Sequence, residues 1–510
     1  ARRPTSASCG TQGGRSVNKR IRKLAAVLLV LYLVLFVQLN VLQVARKEAL
    51  DSHPQNNRQT IRDFNRMRGE IITADGQVVA RSVPSADDDQ YEYQREYPLG
   101  DLFAHITGYY TFSFGSTQLE KTQSDVLMGT TDVQKADPAA FLREDNSGTV
   151  VLTLLSDLQL VAADALGERE GSVVVMDIQT GAVLTMVSYP RYDPNLVAVH
   201  NASEAEDYLD WFNATPGKPL LANAYQERYM PGSSFKVVTT GIALESGVTD
   251  LDRSWPSETA WVPPQTTDPI QNYGGTSCGG TMAEVFYRSC NIPFAQMAVE
   301  LGPERMVDGT REWGIGEKLP IDLPGAASSN FENAGGEPID FAANLPLLAI
   351  GGFGQANDAM VPLHMCMVAA TVANDGKMMQ PYVVQSTLDH DGDVLEYTEP
   401  RVWKNPISEA TAATLNGLMV GVVNSGTGRT MQLDNGIQAA AKTGTAQLNA
   451  AGEQERSHAW IIGFAPAEAP RYAVAVVLKG TTDEVSASTG GKLAGPIAKT
   501  VLDYLFSTGA

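Results

Sequence analysis

Three short patterns in fixed order constrain this chain more than anything else in it. They are Ser233-Ser234-Phe235-Lys236, then Ser289-Cys290-Asn291, then Lys442-Thr443-Gly444-Thr445. S-x-x-K and S-x-N are each expected by chance in 510 residues. The ordered set S-x-x-K, S-x-N, K-T-G is far more specific, and it describes a serine nucleophile served by a lysine base.

Each pattern has a local setting that suits the chemistry. Pro231 and Gly232 punctuate the chain, and Phe235 to Ser246 reads as a helical run closed by Gly247. Ser233 is therefore expected at a helix N-terminus, with Lys236 on the same face. The helix dipole favours negative charge at Ser233, and it disfavours charge on Lys236, as does burial. A lysine held neutral is able to take the serine proton. Taken alone, a capping serine and a solvated lysine would explain the same four residues. Ser289 and Asn291 are two apart, so an extended loop would aim both the same way and Cys290 the other. A hydroxyl and an amide on one side suit proton relay and the holding of a peptide group.

Ala439 to Ala446 reads as a small-residue strand. Lys442 and Gly444 would face one way, Thr443 and Thr445 the other. Gly444 is expected to leave room for close approach of a ligand backbone. The Lys442 cation and the threonine hydroxyls suit a carboxylate, and the backbone N–H groups of Thr445 and Ser233 suit an oxyanion hole. A competing motif is present: Gly275-Thr276-Ser277-Cys278-Gly279 matches G-x-S-x-G. A nucleophile elbow follows a buried strand, whereas a polar loop from Pro263 to Pro269 precedes this one, which argues against it.

Organisation along the chain separates a start, a middle and a large remainder. Residues 1–47 hold nine of the 38 basic residues and no acid, leaving 29 basic and 58 acidic side chains after them. So acidic a body argues against nucleic acid as a partner. Leu24 to Val44 is an apolar run of 21 residues behind Arg15, Lys19, Arg20, Arg22 and Lys23. That length spans a bilayer, and the basic flank predicts a cytoplasmic N-terminus. The chain after Val44 makes a poor cleavage site, so the run is expected to be an uncleaved anchor at the cell membrane, with the body outside. The domains predicted are a basic tail over residues 1–23, a transmembrane helix over 24–44, a mixed pedestal over 45–150, and a catalytic domain over 151–510.

In the pedestal, Arg68 to Val79 reads as two strands around Asp75-Gly76, and Ser85 to Gln94 as an acidic loop. In the catalytic part, Gly171–Ile178 with Ala182–Val187, and Trp460–Ala465 with Tyr472–Leu478, read as β-hairpins. Leu493 to Phe506 reads as a closing amphipathic helix. Strands at both ends with helices between predict an α/β (α+β) domain in which one central antiparallel sheet joins its first and last strands. The four cysteines show no C-x-x-C spacing, H-E-x-x-H is absent, and the six histidines are scattered, so neither a metal nor another cofactor is expected. Cys278 and Cys290 would lie outside the cell and are either a disulfide or two buried thiols.

The triplet resembles that of class B penicillin-binding proteins. Further stretches carry the likeness from about Arg68 to Pro496: Arg68-Gly69, Asp75-Gly76, Tyr97-Pro98, His105, Leu119-Glu120, Tyr189-Pro190, Gly351 to Gln355, Asn374-Asp375-Gly376, Gly426-Thr427-Gly428 and Gly463 to Pro466. The short pedestal and the basic-then-apolar start are most similar to the actinobacterial penicillin-binding protein A group. The resemblance implies a serine β-lactamase/transpeptidase-like fold and a D,D-transpeptidase that cross-links peptidoglycan stem peptides and is acylated by β-lactams. It implies Ser233 as nucleophile, Lys236 as base, Ser289 with Lys442 as relay, and Asn291, Thr443, Gly444 and Thr445 as substrate-binding residues. A separate polytopic membrane glycosyltransferase would supply the glycan strands. A D,D-carboxypeptidase would keep the same triplet, and a non-catalytic β-lactam-binding division scaffold is the rival of a different class; such a scaffold could have lost a motif residue, and here none is lost.

Overall fold

Nearly unbroken burial along the long strands shows that the centre of this protein is a sheet covered on both sides. A computed structural model describes residues 14–41, 61, 64–137, 143, 145–448 and 456–509. It divides into two units, residues 1–65 and 66–510. In the first, a helix runs from Gly14 to Asn40. Its stretch Lys19–Asn40 has 22 residues and is long and apolar enough to cross a membrane; at 1.5 Å per residue it measures about 33 Å. The last residues of the apolar run, 42–44, lie outside the described residues.

The second unit is organised around five antiparallel strands in the order Ala440–Gln447, Ser457–Ala465, Tyr472–Leu478, Gly171–Asp177, Val183–Tyr189. The predicted first and last strands do meet: Tyr472 to Leu478 pairs with Asp177 to Gly171. Val174, Met176, Ala473, Ala475, Ile462 and Trp460 join the core on one face. Their neighbours Val173, Val175, Val474, Val476, Ile461 and Ala459 join the core on the other. Both faces being apolar, the strands read as continuous hydrophobic runs. The helix Pro362–Ala373, buried at every residue, covers the first face. The helices Ser156–Leu166 and Gly490–Thr508 cover the second, the latter being the predicted closing helix.

A second sheet of six strands builds the pedestal, in the order Val394–Tyr397, Val384–Leu388, Thr149–Leu152, Ile71–Ile72, Val78–Pro84, Tyr93–Glu96. The turn around Asp75-Gly76 is as expected, with Thr73 and Gln77 bonded across it. Tyr93 and Gln94, expected in a loop, lie in the strand Tyr93–Glu96 instead, because that strand pairs with Arg81 to Pro84. Two of the six strands come from residues 384–397, so this sheet crosses residue 150. Asp75 strengthens the junction: its carboxylate accepts from the Ser156 hydroxyl at 2.5 Å and from the Ser156 N–H, at the start of the helix Ser156–Leu166.

The family-like residues of the pedestal converge on one buried charge. Glu120 bonds Arg68 Nε at 2.5 Å and Arg95 Nε at 2.7 Å, and all three side chains are almost wholly buried. Arg95 also donates to the carbonyls of Arg68 and Gly69, Arg68 to the carbonyl of Glu120, and Tyr97 to the Glu120 carboxylate. Burial alone would raise the Glu120 pKa, but the two guanidinium groups outweigh it and hold the carboxyl below its usual range.

Glu120→Gln would leave two guanidinium groups buried without their counter-charge. Urea unfolding at neutral pH is expected to show a loss of about 3–5 kcal/mol. The folded-state pKa is lowered, so this stabilisation is complete above the ordinary carboxyl value of 4.5 and is lost as pH falls through the folded value. The parent protein should therefore weaken on acidification more than the Gln variant does. Equal unfolding midpoints at neutral pH would show that the triad contributes little.

Candidate functional site

The nucleophile motif begins with one tight turn. Gly232 to Phe235 is a 3₁₀ helix that runs directly into the α-helix Lys236–Glu245. With three residues per turn, side chains three apart eclipse, so Lys236 stands over Ser233. Ser233 is partly exposed, whereas Ser234, Phe235 and Lys236 are buried. Ser234 caps the turn by donating to the Pro231 carbonyl at 2.7 Å. Phe235 stacks on Phe331, their ring centres 5.8 Å apart.

The second motif surrounds the Lys236 amine with oxygen. Lys236 Nζ lies 2.8 Å from the Ser289 carbonyl, 2.6 Å from the Cys290 carbonyl and 2.9 Å from Asn291 Oδ1. The Ser289 hydroxyl is 3.4 Å away. Among the described residues no hydrogen bond joins the Ser233 hydroxyl to Lys236. The expected extended loop is not present: Ser289 has φ 60°, in the left-handed region, and Asn291 is helical at the start of the helix Ile292–Glu312. Both side chains nonetheless reach Lys236, because the left-handed residue turns the chain as a two-residue alternation would not. Cys290 points away and is joined to Cys278, with Cα atoms 5.7 Å apart. Cys366 is a buried free thiol.

The third motif lies on Ala440–Gln447, an outer strand of the central sheet. Lys442 is fully buried, and its Nζ donates to the Ser289 hydroxyl at 2.8 Å. Thr443 faces the other way and shares a 2.5 Å hydrogen bond with Thr427. The room expected for a ligand at Gly444 is taken by the protein's own turn. A Cβ there would meet the Pro231 carbonyl at 2.5 Å and the Ser234 nitrogen at 3.1 Å. A Cβ on Gly232, whose φ is 54°, would meet the Thr445 carbonyl at 2.5 Å. Two glycines thus let the nucleophile turn and the strand touch backbone to backbone. The Thr445 carbonyl also accepts from Gln355 Nε2 at 3.4 Å. It therefore faces the free edge, and the N–H of the same strand residue faces that way too, toward Ser233.

Two buried lysines flank one hydroxyl in this site. Burial lowers the Lys236 pKa far below that of an ordinary lysine, and the charge on Lys442 lowers it further. Burial lowers Lys442 to about 7. The three short oxygen contacts of Lys236 favour its ammonium form and moderate the shift, so its proton is held but readily released. The exposed Ser277 of the competing G-x-S-x-G motif sits before the strand Cys278–Thr281, with no buried strand behind it.

Sequence reasoning assigns no role to two polar residues here. Thr427 enters it only as part of a family-like stretch, and its partnership with Thr443 joins two residues 16 apart that no local repeat brings together. Asn272 does not enter it at all. It is almost fully buried, and its Oδ1 accepts from the backbone N–H groups of Asn291 at 2.8 Å and Ile292 at 3.2 Å. A lone asparagine in a polar loop carries no sequence signal for this.

Comparison with known proteins agrees with this geometry. Residues 171–503 match the family model described as penicillin binding protein transpeptidase domain, and residues 68–150 match that described as penicillin binding protein A dimerisation domain. The chain is 35% identical to peptidoglycan D,D-transpeptidase PbpA of Mycolicibacterium smegmatis, over 95% of this chain and 98% of that protein. It is 33% identical to the protein of the same name from Mycobacterium tuberculosis, over 96% and 99%. The structure superposes on penicillin-binding protein A from M. tuberculosis, solved as a ceftriaxone acyl-enzyme complex, with a TM-score of 0.80 and 32% identity, covering 87% of this chain and 99% of that one. With the ordered triplet, its convergence in space and relatives matched over nearly their full length, this chain belongs to the penicillin-binding protein transpeptidases.

Proposed function

We propose that this protein is a membrane-anchored peptidoglycan D,D-transpeptidase of the penicillin-binding protein A type, acting through an acyl-enzyme on Ser233. The observation that carries the reading is the meeting of Lys236 and Lys442 on the Ser289 hydroxyl, beside a partly exposed serine at a helix start. The donor substrate is a stem peptide ending in D-Ala-D-Ala. Ser233 Oγ forms a bond to the penultimate D-alanine carbonyl carbon as its proton passes to Lys236. The Ser233 and Thr445 N–H groups receive the oxyanion, a role that the free-edge orientation of Thr445 supports. The C–N bond then breaks, and the proton reaches the leaving D-alanine amine by way of Ser289. An amine from an acceptor stem resolves the acyl-enzyme and restores the serine proton.

The substrate carboxylate would lie against the outer face of the strand, on the hydroxyls of Thr443 and Thr445, within the field of Lys442. Thr427 supports that face by fixing Thr443. Asn291 would hold the substrate amide while helping to orient Lys236. Gly444 serves the site by letting the nucleophile turn approach. A β-lactam presents a carbonyl and a carboxylate in the same relation, and would acylate Ser233. The basic flank of the apolar helix supports a cytoplasmic N-terminus with an extracellular body. In this arrangement residues 1–23 are the tail, 24–44 the anchor, 45–150 the pedestal and 151–510 the transpeptidase domain, and a polytopic membrane glycosyltransferase makes the strands to be joined.

Ser233→Ala is expected to abolish covalent labelling by a fluorescent penicillin, while Ser277→Ala should label as the parent does. Labelling that survives the first change and is lost in the second would move the nucleophile to the competing motif.

The rate of acylation should rise with pH as Lys236 loses its proton, since only the neutral amine accepts one from Ser233. It should fall again as Lys442 discharges near pH 7, the value to which burial brings it. These apparent values belong to the coupled pair. Second-order rates with penicillin G measured across the pH range in which the protein stays folded test this. A rate that climbs only above about pH 10, as for a lysine in water, would rule out Lys236 as a neutral base.

A further inference from the structure

Residues 254–281 contain no part of the three motifs, yet they touch the second one at three points and the residue before it, Arg288, at a fourth. Cys278 is joined to Cys290. Arg288 donates to the carbonyls of Ser277 and Gly279. Asn291 Nδ2 donates to the Gln271 carbonyl at 3.1 Å. Asn272 Oδ1 accepts from the Asn291 and Ile292 N–H groups. The G-x-S-x-G stretch therefore has a use without being a nucleophile elbow, since its backbone and its cysteine grip the loop that carries Ser289.

The contact made by Asn272 reaches furthest into the chemistry. One peptide group joins the Cys290 carbonyl to the Asn291 N–H. Its N–H donates to Asn272 Oδ1 at 2.8 Å, and its carbonyl accepts from Lys236 Nζ at 2.6 Å. Asn272 is in turn fixed by its own amide, which donates to the carbonyls of Glu258 at 2.9 Å and Thr276 at 3.2 Å. That assignment leaves Oδ1 as its only acceptor, aimed at the loop. The Asn291 side chain is oriented in the same manner: one hydrogen of its Nδ2 goes to the Gln271 carbonyl, so its Oδ1 faces Lys236. Hydrogen bonds in such a chain polarise one another. Ser289, in the left-handed region, persists because these contacts over-determine the loop.

We infer that Asn272 is a positioning residue for the transpeptidase reaction: through the Cys290–Asn291 peptide group it sets the carbonyl that orients the Lys236 amine toward Ser233. The inference rests on the proposed role of Lys236 as the base. The groups that face Lys236 are Lys442 across Ser289, the Asn291 amide, and the rings of Phe294 and Phe353 at 5.0 and 5.9 Å. The charged group among them is Lys442.

Two substitutions in the full, detergent-solubilised chain separate positioning from mere structure. Asn272→Ala removes the anchor, and displacement of Lys236 by a fraction of an ångström to one ångström should slow acylation by penicillin G by about 10- to 100-fold. Asn272→Asp keeps the oxygen that accepts from Asn291 and Ile292 and adds negative charge at the far end of the peptide group. That charge favours protonated Lys236, so the rising limb of the rate against pH should move to higher pH, with the rate partly restored in alkali. Thermal melting and near-ultraviolet circular dichroism check that each variant is folded. Should Asn272→Asp not fold, the rising limb of Asn272→Ala, displaced to lower pH by the loosened carbonyl, supplies the same readout. A folded variant that acylates at the parent rate with an unshifted limb overturns the inference, as does a uniform loss of rate with no shift in either variant. If the parent itself is not acylated at Ser233, the reading of the site fails and not the role of Asn272 alone.

Discussion

A single hydroxyl between two buried amines is the constraint around which the molecule is built. Two lysines buried this close repel, and each suffers from the loss of water. The site tolerates them because Ser289 accepts from Lys442 while backbone and amide oxygens surround Lys236. The result is an amine that gives up its proton readily beside a serine that must lose one. The cation left on Lys442 keeps a positive field where an oxyanion and a carboxylate have to gather.

Keeping that arrangement requires three elements distant in sequence to hold position to within a fraction of an ångström. The five-stranded sheet supplies one fixed edge, because both of its faces are buried under helices and it has little freedom to bend. The nucleophile turn is fastened to this edge through Gly232 and Gly444, and by the Trp460 indole, which donates to the Met230 carbonyl at 2.9 Å. On the far side Gly232 donates to the Gly354 carbonyl at 2.8 Å, so the Gly351–Gln355 stretch clasps the turn from behind. The second motif, on a short loop between two helices, is the least regular of the three, and it is the one with a disulfide and an asparagine clamp.

What can be read from the chain alone follows from local pattern. The helix start at Ser233, the strand through Lys442, both hairpins and the closing helix are each written in neighbouring residues, through punctuation, alternation and period. The facing of Lys442 against Thr443 follows from the two-residue repeat of a strand. The conformation of Ser289 does not, because its positive φ is imposed by partners elsewhere and not by its own side chain. Gly444 reads as space for a ligand, since nothing in its neighbourhood announces that residues 231–234 fill that space. Thr427 and Asn272 escape notice for the same reason: a hydroxyl or an amide in a loop is common, and only long-range contact gives these two a purpose. The strands 384–397 that complete the pedestal sheet show the same limit at the scale of the fold.

The account depends most on which lysine of the pair is neutral. Carbon-13 labelling of lysine side chains at Cε, with Lys442→Met and Lys236→Met to assign the two resonances, measures each titration directly in the intact protein. Lys236 is expected to lose its proton first as pH rises, with Lys442 following near 7. A Lys236 that stays protonated until after Lys442 has discharged would contradict the account, because Ser233 would then have no base.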